Sequence, residues 1–223
     1  MCTSKKPIIA TETLKERNLH AGRLPEIPGE LVQNGNFDGD VQPWRTNFLD
    51  STMSYSAIDS DGCSGSGSAL ATNNEPSAYS SVAFDQCVND VNDAQLYDLR
   101  GSIYFPAADP VANAYLLIYW YTAADCNSDY ITGDSTSWLT SNTSWGQWWD
   151  VLTTDITPAS GAVSARVRLG IRRATDSDLN PISVYFDNVS LAPAGTIWIL
   201  EMSHISAGIP TSSASRTPST VLG

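Results

Sequence analysis

Hydrophobic and polar positions alternate most clearly between Ser144 and Arg173, in SWGQWWDVLTTDITPASGAVSARVRLGIRR. Val163, Ala165, Val167, Leu169 and Ile171 fall on one side of this stretch, and Ser164, Arg166, Arg168, Gly170 and Arg172 on the other. A period of two predicts a strand with one face in a core and one toward solvent. Pro158 to Gly161 predicts the turn ahead of it, after a segment led by Trp148 and Trp149. The rest of the chain reads as material that packs against or pairs with this stretch. The segment 114–122, AYLLIYWYT, is apolar on both faces and predicts a central strand. Leu116, Ile118 and Trp120 form one set, and Tyr115, Leu117, Tyr119 and Tyr121 the other; which set faces the core depends on register.

Weaker alternation predicts further strands over 53–58, 68–71, 79–88, 96–105 and 182–191, separated by polar turns. Near the start, Asn34-Gly35 predicts a turn that lets Phe37 plug one end of a core. The loop 123–145 is long and polar, with Tyr130, Trp138 and Trp145 spread through it, and a loop of that length is functional, disordered or hiding a strand. Helical signals are nearly absent. Together these patterns predict an all-β, two-sheet β-sandwich over residues 30–195, preceded by a flexible arm, 1–29, and followed at 196–223 by an edge strand (196–202) and a disordered tail. Strand counting alone does not separate a jelly roll from an immunoglobulin-like topology.

Charge and composition narrow the function. Acidic residues outnumber Lys plus Arg by 24 to 12, a formal charge of -12, so nucleic acid is a poor default partner, although a local arginine patch can override the average. No apolar run is long enough for a membrane-spanning helix. His20 and His204 are the only histidines, no GxSxG elbow or phosphate loop is present, and Glu12, Glu16, Glu26 and Glu30 lie in or beside the arm. The chain therefore reads as a protein without catalytic machinery. Only 16% of residues are charged while Ser, Thr, Asn and Gly are plentiful, a surface common among secreted β-proteins, which predicts an extracellular or cell-surface location. Sequence does not choose among the pairings of Cys2, Cys63, Cys87 and Cys126; Cys63 and Cys87 lie beside two different predicted strands and form the preferred disulfide.

Four segments, LVQNGNFDGDVQPW, GSGSAL, TSWGQWWDVLTTDITP and VYFDNVSL, resemble in order and spacing the signature of jelly-roll carbohydrate-binding modules, particularly families 4, 9 and 22, over about residues 30–192. The resemblance implies a jelly-roll sandwich engaged in non-catalytic recognition of a polysaccharide or glycan. It also implies a structural calcium ion held by Asp38 and Asp187, with backbone carbonyls near Gly35 or in the 65–68 turn completing a shell that needs about six to eight oxygens. The segments around Cys63 and Cys87 further resemble a version of this sandwich appended to secreted bacterial proteins.

Glycan recognition requires aromatic faces against the apolar side of a pyranose and polar groups at its rim. A groove on the open sheet face would be floored by Tyr115, Tyr119 and Tyr121, or by Trp120. Arg166, Arg168 and Arg172 supply donors, and they permit an acidic ligand such as a uronic-acid polymer without requiring it. Arg168 and Trp120 lead the candidates, followed by Tyr79 and Trp148. The competing reading pairs the arginines with acidic residues such as Asp98 and uses the aromatics as filler. The alternative function is a structural, adhesive or self-assembling sandwich whose 196–202 edge pairs with another chain.

Overall fold

A computed structural model describes residues 29–46, 48–60, 62, 66–174 and 180–196. Its strands are β1 (Arg45–Thr46), β2 (Ser51–Ser56), β3 (Ser68–Asn73), β4 (Ser81–Asn89), β5 (Tyr97–Tyr104), β6 (Ala112–Tyr121), β7 (Tyr130–Ser135), β8 (Leu139–Thr140), β9 (Trp148–Ile156), β10 (Ser164–Arg173) and β11 (Ile182–Pro193). A one-turn helix, α1 (Ser141–Ser144), and a 3-10 turn, Ala124–Cys126, complete the elements. The strands form two antiparallel sheets. The six-stranded sheet runs β1-β4-β10-β6-β7, with β8 also on β6, and the five-stranded sheet runs β2-β3-β11-β5-β9. The expected all-β, two-sheet sandwich is the observed architecture.

The alternating stretch occupies the middle of this arrangement. β10 pairs with β4 on one side and β6 on the other, and its inward residues Ala165, Val167, Leu169 and Ile171 are fully buried. Opposite them, Leu99, Ile103, Val184 and Phe186 from β5 and β11 fill the other half of the core. Each large apolar side chain so buried contributes roughly 1.5–3 kcal/mol, which fixes which parity of each strand points inward. Gly101 on β5 keeps the sheets close: a Cβ there would stand 2.9 Å from Leu116.

Phe37 is fully buried with its ring 5.8 Å from that of Trp44, so it does plug one end of the core. The segment before it closes the seam between the sheets. Leu31 donates its amide to the Leu191 carbonyl, the Glu30 carboxylate accepts from Ser190 and from the Leu191 amide, and the inward Gln86 side chain bonds both backbone groups of Gln33. The polar 123–145 segment does hide strands, namely β7 and β8. Residues 1–28 and 197–223, with the expected arm and edge strand, lie outside the described residues.

The disulfide differs from the expectation. Cys87 is bonded to Cys126, not to Cys63, which is itself outside the described residues. β4 and β6 both flank β10, and the 3-10 turn after β6 folds back across the end of β10 toward Cys87. Paired hydrogen bonds between Asn89 and Asp125, 2.7 and 2.8 Å, hold the turn in place. Proximity in the sequence to two predicted strands carried no information about a contact made over the top of a third.

Candidate functional site

The outer face of the six-stranded sheet collects the residues with recognition chemistry. In register, Arg166 lies opposite Tyr119 and Cys87, Arg168 opposite Leu117 and Asp85, Gly170 opposite Tyr115 and Ala83, and Arg172 opposite Asn113 and Ser81. Since β10 shows Ala165, Val167, Leu169 and Ile171 to the core, Arg166, Arg168 and Arg172 must face out, and pairing carries the same parity to the odd-numbered residues of β6. Tyr115, Tyr119 and Tyr121 therefore share the arginine face. Trp120, opposite Ala165, points into the core, is fully buried, and packs 5.9 Å from Tyr97. Its assignment to the ligand face is corrected: both faces of β6 are apolar, so hydropathy did not reveal which set was inward.

Two glycines let tyrosine rings lie across this face. A Cβ on Gly170 would come within 2.3 Å of the Tyr115 ring, and one on Gly133 within 2.7 Å of the Tyr119 ring. Tyr115 thus reaches from β6 across β10 toward Ser81 on β4. Burial pushes that phenol above its ordinary range, so it stays neutral. Trp138 stacks on Tyr115, ring centroids 4.2 Å apart and planes 13° from parallel. The pairing of Leu139 with Ala114 brings it there, since it sets the preceding residue beside Tyr115. The result is a layered stack of Gly170 backbone, Tyr115 ring and Trp138 ring, with the indole 44% exposed. Further along, Tyr130 on β7 covers Tyr119 at 5.0 Å.

The three arginines have different surroundings. Arg168 forms a bidentate pair with Asp85, at 2.7 and 2.8 Å, and its guanidinium lies over Tyr119. Arg166 lies over Tyr121 and donates to the Cys126 carbonyl, 3.3 Å. Arg172 lies over two rings, Tyr79 at 5.8 Å and Trp138 at 5.7 Å. The partner of the face is Asp85 rather than Asp98, whose carboxylate accepts the Asp155 and Gly195 amides.

The structure thus brings Arg166, Arg168, Arg172 and Tyr79 together. Trp148 belongs elsewhere: on β9 of the other sheet, it packs 5.5 Å from Tyr104. Sequence reasoning left Trp138 and Tyr130 as unassigned loop aromatics. Their signal was a run of exposed-type aromatics in an overlong polar loop, which marks a segment without saying where it folds.

Asp187 sits at a separate locus, beside a β-bulge between β11 and β5. Its carboxylate is buried and accepts from the Ser60 amide, the Ser60 hydroxyl (2.7 Å) and the Asn188 amide (2.7 Å). Burial pushes its pKa up to about 7 against those hydrogen bonds, and the nearby Asp59 charge adds to the rise. Asp38 is exposed in the turn after Phe37, with its amide on the Asn34 side chain; the groups gathered around Asp187 come instead from Ser60, Asn188 and Asp59. A pKa of about 7 in the folded chain, above the ordinary aspartate value of the unfolded one, means that folding takes up a proton between about pH 4 and pH 7. Its contribution to stability is full below that window and lost above it. In chelator, urea unfolding should show a fold more stable at pH 5 than at pH 8 relative to Asp187→Asn, which removes the difference; equal pH dependence in the two proteins would contradict this.

No family model matches the chain, and no curated protein matches it. Among solved structures it is similar to the C-terminal family 22 carbohydrate-binding module of Clostridium thermocellum xylanase 10B, at 17% identity and TM-score 0.53, covering 77% of this chain and 99% of that one. It is also similar to the tandem CBM22-1–CBM22-2 domain of Paenibacillus barcinonensis Xyn10C, at 14% identity and TM-score 0.54, covering 82% of this chain and 52% of that one. A third likeness, at 13% identity and TM-score 0.53, is to the enzymatically active domain of bacteriophage CBA120 tailspike protein 4; it covers 75% of this chain, which spans only 22% of that domain. These likenesses show the fold, a jelly-roll-like β-sandwich resembling various carbohydrate-binding modules. Among the described residues, no three His, Cys, Asp or Glu side chains converge to hold a metal ion.

Proposed function

We propose that this chain is a non-catalytic binding module that holds a polysaccharide or glycan across the outer face of its six-stranded sheet. The stack of Trp138 on Tyr115 over Gly170, edged by Arg172, carries the reading. An exposed indole face offers C–H and dispersion contacts to the apolar side of a pyranose, and guanidinium and phenol groups beside it offer donors for the rim hydroxyls. The ring is held from below before any ligand arrives, so little side-chain freedom is lost on binding. An extracellular or cell-surface location agrees with the Cys87–Cys126 disulfide, a bond that persists in oxidising compartments.

Affinity electrophoresis of the folded protein through a panel of neutral and acidic polysaccharides tests the proposal. Selective retardation by some polymers is expected; uniform mobility across the panel would overturn it and shift weight to assembly or adhesion.

A calcium site belongs to the same proposal, with its ligands revised. Asp187, with the Ser60 hydroxyl on its carboxylate and the Asp59 charge nearby, offers hard oxygens suited to Ca2+. When bound, the ion would supply the countercharge and cross-link the 59–60 segment to β11. Calcium should raise the melting temperature of the protein by several degrees, and Asp187→Asn should abolish the rise. An equal melting temperature in calcium and in chelator would reject the site.

A further inference from the structure

The outward positions of β1, β4, β6 and β10 carry four of the chain's twelve basic residues, Arg45, Arg166, Arg168 and Arg172, against one carboxylate, Asp85. In a chain of net charge -12, this is a local reversal of sign. Of the three outward arginines on β10, Arg168 is neutralised by Asp85, and Arg166 gives a hydrogen bond to a backbone carbonyl. Arg172 has neither an ion pair nor a side-chain hydrogen bond among the described residues; only the Tyr79 and Trp138 rings hold it.

Contact through ring faces positions a guanidinium without using its N–H edge. That edge is a fork of donors whose best partner is a planar carboxylate, taken in two parallel charge-assisted hydrogen bonds. Trp138 remains 44% exposed although Tyr115 covers one of its faces and the Arg172 guanidinium stands 5.7 Å from its ring centroid, so a sugar packed against the exposed part of the indole would have its ring substituents within reach of the guanidinium. We infer that the ligand of this face is a uronate-bearing polysaccharide, and that Arg172 receives the carboxylate of the sugar residue stacked on Trp138.

This inference rests on the glycan-binding reading of the same face and adds the charge class and the residue that reads it. The overall acidity of the protein sharpens the point. Long-range repulsion disfavours indiscriminate polyanion binding, so an acidic polymer is retained only where short-range pairing outweighs it.

The test measures affinity of the full chain for polygalacturonate and alginate, each against its carboxyl-reduced form, which keeps the linkages and removes the charge. A sulfated galactan and a neutral xylan are run beside them. The expected result is a preference of about tenfold or more for a uronate polymer over its reduced form. Arg172→Gln should erase it while leaving the circular dichroism spectrum and melting curve intact. The charged-against-reduced comparison in the unmutated protein needs no variant to fold. Equal binding of charged and reduced polymers, preference for the sulfated polymer alone, or a uronate preference that survives in folded Arg172→Gln would each overturn the inference. If neutral and reduced polymers bind with a dependence on Trp138, the glycan-binding reading stands and only the carboxylate assignment falls. If no polymer binds, the underlying reading falls with it.

Discussion

Replacing Trp138 with alanine should weaken glycan binding about thirtyfold or more while moving the melting temperature by no more than a degree or two. The size follows from the position. Aromatic anchors at the centre of a recognition surface cost about 2 kcal/mol or more when truncated, and Trp138 is the outermost ring of the stack and one of the two rings that hold Arg172. Its truncation would remove the stacking face and loosen the nearest donor together. The small stability cost follows from exposure: the indole is 44% accessible, and the Tyr115 ring beneath it remains seated on Gly170. Calorimetric titration with whichever polymer the protein retains, paired with a melting curve, reads both quantities. Unchanged affinity would remove the layered stack from the binding site.

The second large effect concerns Trp120, which hydropathy could not orient. Trp120→Ala should cost about 3–5 kcal/mol of stability, as truncation of a fully buried aromatic does. Protein that remains folded should bind glycan with nearly the affinity of the parent. Trp120→Phe should be much milder than the alanine change. Among the described residues the indole Nε1 has no hydrogen-bond partner, and a buried donor left unmade costs about 1–3 kcal/mol that phenylalanine does not incur. Urea denaturation of the three proteins checks the order. A Trp120→Ala protein as stable as the parent, with binding lost instead, would put this residue back on the ligand face.

Trp120 and Trp138 also illustrate how much of the site was legible beforehand. The arginine face was readable because β10 is unambiguous from Ser164 to Arg172: its inward parity there is apolar and its outward parity is polar, charged or glycine, and only the buried Arg173 at its end departs from the pattern. β6 offers apolar residues on both parities, since one set faces the core and the other is tiled with rings. Local pattern therefore identified the two sets without orienting them. Pairing with β10 orients them, and pairing is a long-range fact.

The same reason explains the disulfide and the revised set around Asp187. Cys87 and Cys126 are separated by 39 positions and meet because β4 and the turn that follows β6 come together at the end of a third strand, β10, that comes later in the chain. Asp187 meets Ser60, from the segment between β2 and β3, more than a hundred residues earlier. The resemblance implied Asp187 together with Asp38; in the fold Asp187 is a buried carboxylate and Asp38 is exposed.

What the chain determined by itself was its alternation: an all-β sandwich, a strand with three outward arginines, a central apolar strand, a buried Phe37, and an overlong loop rich in aromatics. These are consequences of period-two burial, which operates within a few residues. Tertiary structure alone decided which face of β6 is wet, which cysteine Cys87 meets, and that Trp138 and Tyr79 converge on Arg172. Those outcomes are set by which strands lie side by side and in what register, and a register carries every side chain of a strand to one face or the other at once.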